Sequence, residues 1–241
     1  MVSGNQIVMG GSGASKGGIL LHGVGGVDVI ANRIAYEGPS GDAYGISLTS
    51  AAATPTVRIL DNLVTRASQS FGAAGIAVSD MSGAMSLEIA NNTIDSSAYG
   101  ISLGIEGATA GSVANNIITS SSSAGLGITN SGSGTVSNHH NLFFENQFDV
   151  IGSKAGAASI FGDPHYAGPG DYHLQSGSPA RDAGDDGSVP VDLTTDLDGN
   201  PRVQGSHVDL GAYETAAEPS VGIAAPASLS ALAALALRRR R

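Results

Sequence analysis

Three sets of residues in this chain have the types and spacing that chemistry needs. Asp28, Arg58 and Glu88 each stand one residue before the apolar residue that opens a recurring motif, in successive copies. On stacked strands about 4.8 Å apart the two carboxyls lie roughly 9.6 Å from one another, with the guanidinium between them. That is the upper end of the ~6.5–9.5 Å used by an inverting glycosidase pair. A central arginine holds both carboxylates ionised, which is the opposite of what a general acid needs. The favoured reading is an exposed ion-pair ladder that fixes register. The second set, Asp192, Asp196, Asp198 and Asn200, offers alternating Asp and Asn oxygens at a tight glycine turn, as calcium prefers. It lacks the closing glutamate of a full calcium loop, and a salt-bridged turn with Arg202 or Arg181 outweighs it. The third set is Tyr44 and Tyr99, each just before a strand glycine and two copies apart, where rings can stack on the sugars of a long glycan. Ordinary turn residues explain them as well.

Other candidates are scattered. A lyase needs a base, and Lys16, Lys154, Arg33, Arg58 and Arg66 occupy different places in the repeat. His139 and His140 fall in an irregular copy, where a loop or cap contact outweighs a metal pair.

The elements that must position these residues come from the repeat itself. It reads Val2-Ser-Gly-Asn5-Gln-Ile7, Val29-Ile-Ala-Asn32-Arg-Ile34, Ile59-Leu-Asp-Asn62-Leu-Val64, Ile89-Ala-Asn-Asn92-Thr-Ile94 and Val113-Ala-Asn-Asn116-Ile-Ile118, with an irregular sixth copy over Val136 to Leu142. The asparagines are 27, 30, 30 and 24 residues apart, a period that means a solenoid. Glycine followed by alternating apolar residues keeps step with it, at Gly18, Gly45, Gly75, Gly100 and Gly125. Period-two alternation between Gly, Ser and Asn clusters predicts short strands and no helix. The expected fold is all-β: a single-stranded right-handed parallel β-helix of about six coils of 24–30 residues, with a C-terminal capping module. Asn5, Asn32, Asn62, Asn92 and Asn116 are read as structural: they tolerate a left-handed corner and pass amide hydrogen bonds from coil to coil.

Composition sets limits. The 241 residues include 35 glycines and only 5% aromatics, so the core is a thin stack of Ile, Val, Leu and Ala. Absence of cysteine removes disulfides and thiolate metal sites. Without the four terminal arginines, 7 basic residues face 21 acidic ones, which argues against nucleic acid as a partner.

Residues 1–150 form the coils, 151–217 a capping module that covers the exposed strand edge, and 218–241 an apolar tail. The module carries Gly162-Asp-Pro-His-Tyr166, Gly170-Asp-Tyr-His-Leu174, Ser176-Gly-Ser-Pro-Ala-Arg-Asp-Ala-Gly184, Asp196-Leu-Asp-Gly-Asn-Pro-Arg202 and Val208-Asp-Leu-Gly-Ala-Tyr-Glu214. These motifs resemble the C-terminal module of bacterial surface β-helix proteins of the choice-of-anchor Q type, which implies export but no reaction. The tail, Glu218-Pro-Ser220, an uncharged run from Val221 to Leu237 and Arg238 to Arg241, resembles PEP-CTERM sorting signals. That likeness implies transient membrane insertion and removal by a dedicated sorting protease, with the arginines on the cytoplasmic side. Met1 opens directly inside a coil without a leader, so the chain is expected to be the C-terminal part of a longer protein.

The expected function is that of an exported, surface-associated β-helix protein, structural or adhesive, that contacts extracellular polysaccharide. Calcium is the one cofactor in view, and catalysis is not favoured. A polysaccharide lyase or glycoside hydrolase of the pectate-lyase-like type is the alternative, because an enzyme needs a compact set of acids or bases in one register.

Overall fold

The computed structural model describes residues 1–10, 16–23, 25–37, 43–50, 55–67, 73–80 and 83–216. The tail at 218–241 lies outside the described residues, and with it the expectations of sorting and anchoring. Among the described residues, no helix is long and apolar enough to cross a membrane.

The chain is an all-β, right-handed parallel β-helix. Its first sheet stacks Val2–Ser3, Val27–Ile30, Thr56–Leu60, Ser86–Ala90, Ala110–Ala114 and Thr135–His139. Its second stacks Gln6–Met9, Arg33–Tyr36, Leu63–Thr65, Thr93–Asp95, Ile117–Thr119, Leu142–Phe144 and Ile160–Phe161. The third stacks Lys16–His22, Ala43–Ser50, Ala74–Asp80, Tyr99–Ile105, Ala124–Asn130 and Val150–Ile151.

Alternation along each strand sends every second side chain inward, and identical register stacks them into columns, at least one to each sheet. Val2, Val29, Ile59, Ile89 and Val113 form one. Ile7, Ile34, Val64, Ile94, Ile118 and Phe143 form the next. The third runs Ile19, Ile46, Ile76, Ile101, Leu126 and Val150. The columns pack as one interior core. The strand glycines have a steric reason: a Cβ on Gly75 would collide with Ile94 and with the carbonyl of Gly100 in the next coil.

The turn between first and second sheets is built by two residues with separate tasks. The left-handed conformation belongs to the residue before each ladder asparagine: Gly4, Ala31, Asp61, Asn91, Asn115 and His140, with φ between 50° and 67°. The asparagine itself turns its amide into the ladder. Nδ2 of Asn5, Asn32, Asn62, Asn92 and Asn116 donates to the Oδ1 of the next copy at 2.9–3.0 Å, and the last acceptor is Asn141. The sixth copy thus carries its asparagine at the expected place, but Asn138 stands where Val113 stands one coil earlier.

After Ile160–Phe161 the chain turns back and runs along the outside of this same corner. Leu193 packs on Leu60 and Ala90, and Leu197, Ala212 and Tyr213 pack with Ala31 and Leu63. Leu174, Ala180 and Leu210 pack on Ile117 and Leu142. The segment expected at 151–217 as a cap is therefore seated on the flank of coils two to six, as well as against the last one.

Candidate functional site

The column of Asp28, Arg58 and Glu88 is in register, but its charges do not pair evenly. Arg58 donates to both oxygens of Asp28 at 2.8 Å, and its remaining nitrogen holds both oxygens of Asp192 at 2.7 and 2.8 Å. The hydrogen bond from Arg58 holds the Asp28 carboxyl below the usual carboxylate range. Glu88 goes the other way, pushed up by burial against the pull of Arg58. The guanidinium gives its hydrogen bonds to Asp28 and Asp192 of the flanking segment, and acts on Glu88 through charge alone.

The calcium set does not converge either. Asp192 is held by Arg58. Asp196 is buried and accepts hydrogen bonds from the backbone N–H groups of Asp198, Asn200 and Glu214 and from the Asn200 side chain, which close the turn around it. Asp198 pairs with Arg33 and with His173 Nε2 at 2.7 Å. The partners expected for these aspartates also change: Arg202 and Arg181 are engaged elsewhere, and Arg58 and Arg33 take their place. Arg181 donates instead to Thr215 and to the carbonyls of Ser176 and Ala216.

Tyr44 and Tyr99 are both half-buried on the third sheet. The Tyr99 ring lies over Gly127 of the next coil, where a Cβ would meet it at 3.1 Å. A more open feature runs beside the second sheet: a groove of about 450 Å³ lined by Glu37, Thr65, Arg66, Asp95, Ser96 and Tyr172. Asp95 accepts from Thr119, Tyr172 and Ser96, so it stands as a fixed acceptor. Burial, then the adjoining Asp95, raises the Tyr172 phenol, which stays a hydrogen-bond donor.

The residues that sequence reasoning missed are the left-handed corner residues. They form a line on the outside of the fold, and the returning segment grips it. Asn91 Nδ2 donates to the Asp209 carbonyl, Asn115 Nδ2 donates to the Asp185 carbonyl, and the Asp185 N–H donates to Asn115 Oδ1 at 2.8 Å. Asp61 meets Arg202, whose guanidinium also reaches Glu214 and the carbonyls of Asp209 and Gly211. This cluster is buried, and burial pushes Asp61 and Glu214 up to about 8 each against the pull of Arg202. Asp61 Oδ2 and Glu214 Oε2 have no hydrogen-bond partner, which costs less on a neutral carboxyl than on an ionised one. The signal is present as the doublets Asp61-Asn62, Asn91-Asn92 and Asn115-Asn116, whose second residue alone carries the expected ladder role, and as His140-Asn141 in the sixth copy.

The sixth coil ends this line with histidines. His139 Nδ1 and His140 Nδ1 are 3.1 Å apart, and Asp185 Oδ2 lies 4.0 Å from His139 Nδ1. Among the described residues, these three are the group whose donor atoms lie close enough to share a metal ion. Asp185 is fixed by Ser188 Oγ at 2.8 Å and by the Gly187 N–H, and the Ser188 hydrogen bond helps hold its carboxyl below the usual range. Next to the group is an open cavity of about 380 Å³, lined by His140, Asp182, Asp185, Asp186 and His207.

A family model described as periplasmic copper-binding protein (NosD) matches residues 1–162. No curated protein and no solved structure matches the chain.

Proposed function

We propose the following role for a chain that belongs to the NosD family, described as periplasmic copper-binding protein: it is exported and serves as a rigid β-helix scaffold that contacts extracellular polysaccharide without cleaving it. The observation that carries this reading is the state of its acids. Asp28 is paired with an arginine, and Asp95 accepts hydrogen bonds from three hydroxyls. Both carboxylates are thus held by fixed partners. What remains beside the second sheet is a polar groove with one ring and one guanidinium, which suits hydroxyl-rich chains held by hydrogen bonds and ring stacking. Tyr44 and Tyr99 supply further rings on the third sheet. The tail at 218–241 delivers the protein to the envelope and is removed or retained there by a sorting system.

The test is retention on immobilised acidic and neutral polysaccharides, for the wild type and for Tyr172→Ala and Tyr44→Ala/Tyr99→Ala. Slower elution of the wild type, lost in these variants and without release of reducing ends or unsaturated sugars, supports the reading. Release of such products establishes the lyase or hydrolase alternative.

A second reading, that the chain holds copper as its family's description says, is favoured by the adjoining imidazoles of His139 and His140. Imidazole nitrogen with a carboxylate is a donor set that copper(II) accepts. Copper bound there would supply a Lewis-acidic or redox-active centre, and the chain's part is to present two nitrogens and one oxygen at fixed spacing.

A further inference from the structure

We propose that His139 Nδ1, His140 Nδ1 and the Asp185 carboxylate form a mononuclear copper(II) site that clasps the returning C-terminal segment to the sixth coil. The proposal rests on the copper reading above and adds its location, its ligands and its structural consequence.

The geometry starts with the nitrogens. Two donors 3.1 Å apart, each about 2.0–2.1 Å from one ion, subtend roughly 95–102° at the metal. That angle lies between a square-planar and a tetrahedral cis pair, so the nitrogens already have chelating spacing; binding replaces the Nδ1···Nδ1 hydrogen bond, with loss of the proton it holds and a turn of the rings toward the ion. Their spacing is imposed by the fold. His139 ends the strand Thr135–His139, and His140 takes the left-handed corner conformation, with φ 50°. This abrupt backbone change lets adjacent residues turn their rings to one point, at an interplanar angle of 87°. The third ligand comes from the other segment. All three donor atoms lie within 4.8 Å of one another, and a common ion needs at most about 4.2 Å between opposed ligands. A carboxylate movement under about 1 Å closes the set. Asp185 Oδ2 keeps its bond from Ser188 while it ligates, because a carboxylate oxygen accepts twice.

Entry and outer contacts are present as well. The adjoining cavity brings solvent to His140 and Asp185, and His207 stands across it with Nδ1 3.2 Å from Asp186 Oδ2. Because His139 and His140 belong to the coil and Asp185 to the returning segment, the ligands hold the two parts together only when all three engage one ion. Metal binding is then coupled to docking of that segment.

The test uses the full chain, purified without a polyhistidine tag. Cu(II) is titrated calorimetrically and by electron paramagnetic resonance into wild type, His139→Gln/His140→Asn and Asp185→Asn. Glutamine suits the strand end, asparagine tolerates the left-handed corner, and the amide oxygen introduced by Asp185→Asn still accepts from Ser188; circular dichroism checks that each variant folds. The expected result is one Cu(II) per chain with a two-nitrogen signature in the wild type, and affinity weakened at least about tenfold in both variants. Cu(II) should also slow proteolysis of residues 163–216 in the wild type and not in Asp185→Asn. If the wild type binds no copper, the copper reading and this site fall together. If it binds but the histidine variant binds equally well, the copper reading stands and this site is overturned. If only Asp185→Asn binds as tightly as wild type, with equal protection, the clasp is overturned.

Discussion

Truncation of the central ladder asparagine, Asn62→Ala, should be far more damaging than truncation of the first, Asn5→Ala. The Asn62 side chain accepts from Asn32 N at 3.0 Å and Asn32 Nδ2 at 2.9 Å, and its own Nδ2 donates to Val29 O, Leu60 O and Asn92 Oδ1, each at 2.9 Å. Alanine leaves the Asn32 N–H and the two carbonyls without these partners in a fully buried place. The Asn32 N–H loses its acceptor outright, at about 1–3 kcal/mol, whereas the Leu60 carbonyl keeps the Ala31 N–H and loses one bond of two, so a total loss of about 2–4 kcal/mol is expected. Asn5 is exposed, and its N–H still reaches Asn32 Oδ1 without the side chain. Its loss should stay under about 1 kcal/mol. Urea titrations followed by circular dichroism give both values from the midpoint at unchanged slope. Equal losses for the two variants would refute the reasoning, because the ladder would then be acting through turn propensity alone and not through buried amide bonds.

Arg202→Met should cost about 3–5 kcal/mol at pH 8 and less at pH 5: without the guanidinium that offsets their burial, Asp61 and Glu214 must stay protonated in the native state at a pH where the unfolded chain ionises them, a penalty that shrinks at pH 5. Urea midpoints at the two pH values check this. In the wild type, these two carboxyls have folded values of about 8, above their unfolded values, so the native state binds more protons in between. Their contribution is full below about pH 4 and is lost as pH rises through about 8, so the urea midpoint should fall from pH 6 to pH 9; a rise would contradict the burial argument. Arg58→Ala should cost about 1 kcal/mol, as partly exposed ion pairs do, and should let the Asp28 carboxyl return upward in an NMR titration.

The solenoid was legible because its signals repeat. Five asparagines at nearly constant spacing, followed by an inward apolar residue, fix the corner, the register and the parallel stacking together. The sixth copy looked irregular because Asn138 replaces the apolar anchor, which hid Asn141 as the last rung. The left-handed conformation was placed one residue late, since Asn91-Asn92 and Asn115-Asn116 offer two equally tolerant residues and only the ladder geometry separates them. The flank was not legible for a different reason. Asp185, Asp198 and Arg202 find partners 70, 165 and 141 residues away at Asn115, Arg33 and Asp61, and no period in the sequence links them. Local composition at Asp192 to Asn200 suggests a calcium loop, whereas Asp192 and Asp198 find their arginines in coils three and two, and Asp196 is held by N–H groups of its own segment.

A stack of coils is ordinarily a one-dimensional system, in which each unit senses only its neighbours and an end can fray without disturbing the middle. The returning segment changes that dimensionality. It touches Arg33 in the second coil, Asp61 in the third, Thr93 in the fourth, Asn115 in the fifth and Leu142 in the sixth. Peeling any one coil must therefore also lift a strip bound to the others, much as a spine binds the pages of a book. Coils two to six should melt in one sharp transition, with amide exchange in Thr56–Leu60 and Ala110–Ala114 governed by the same opening event.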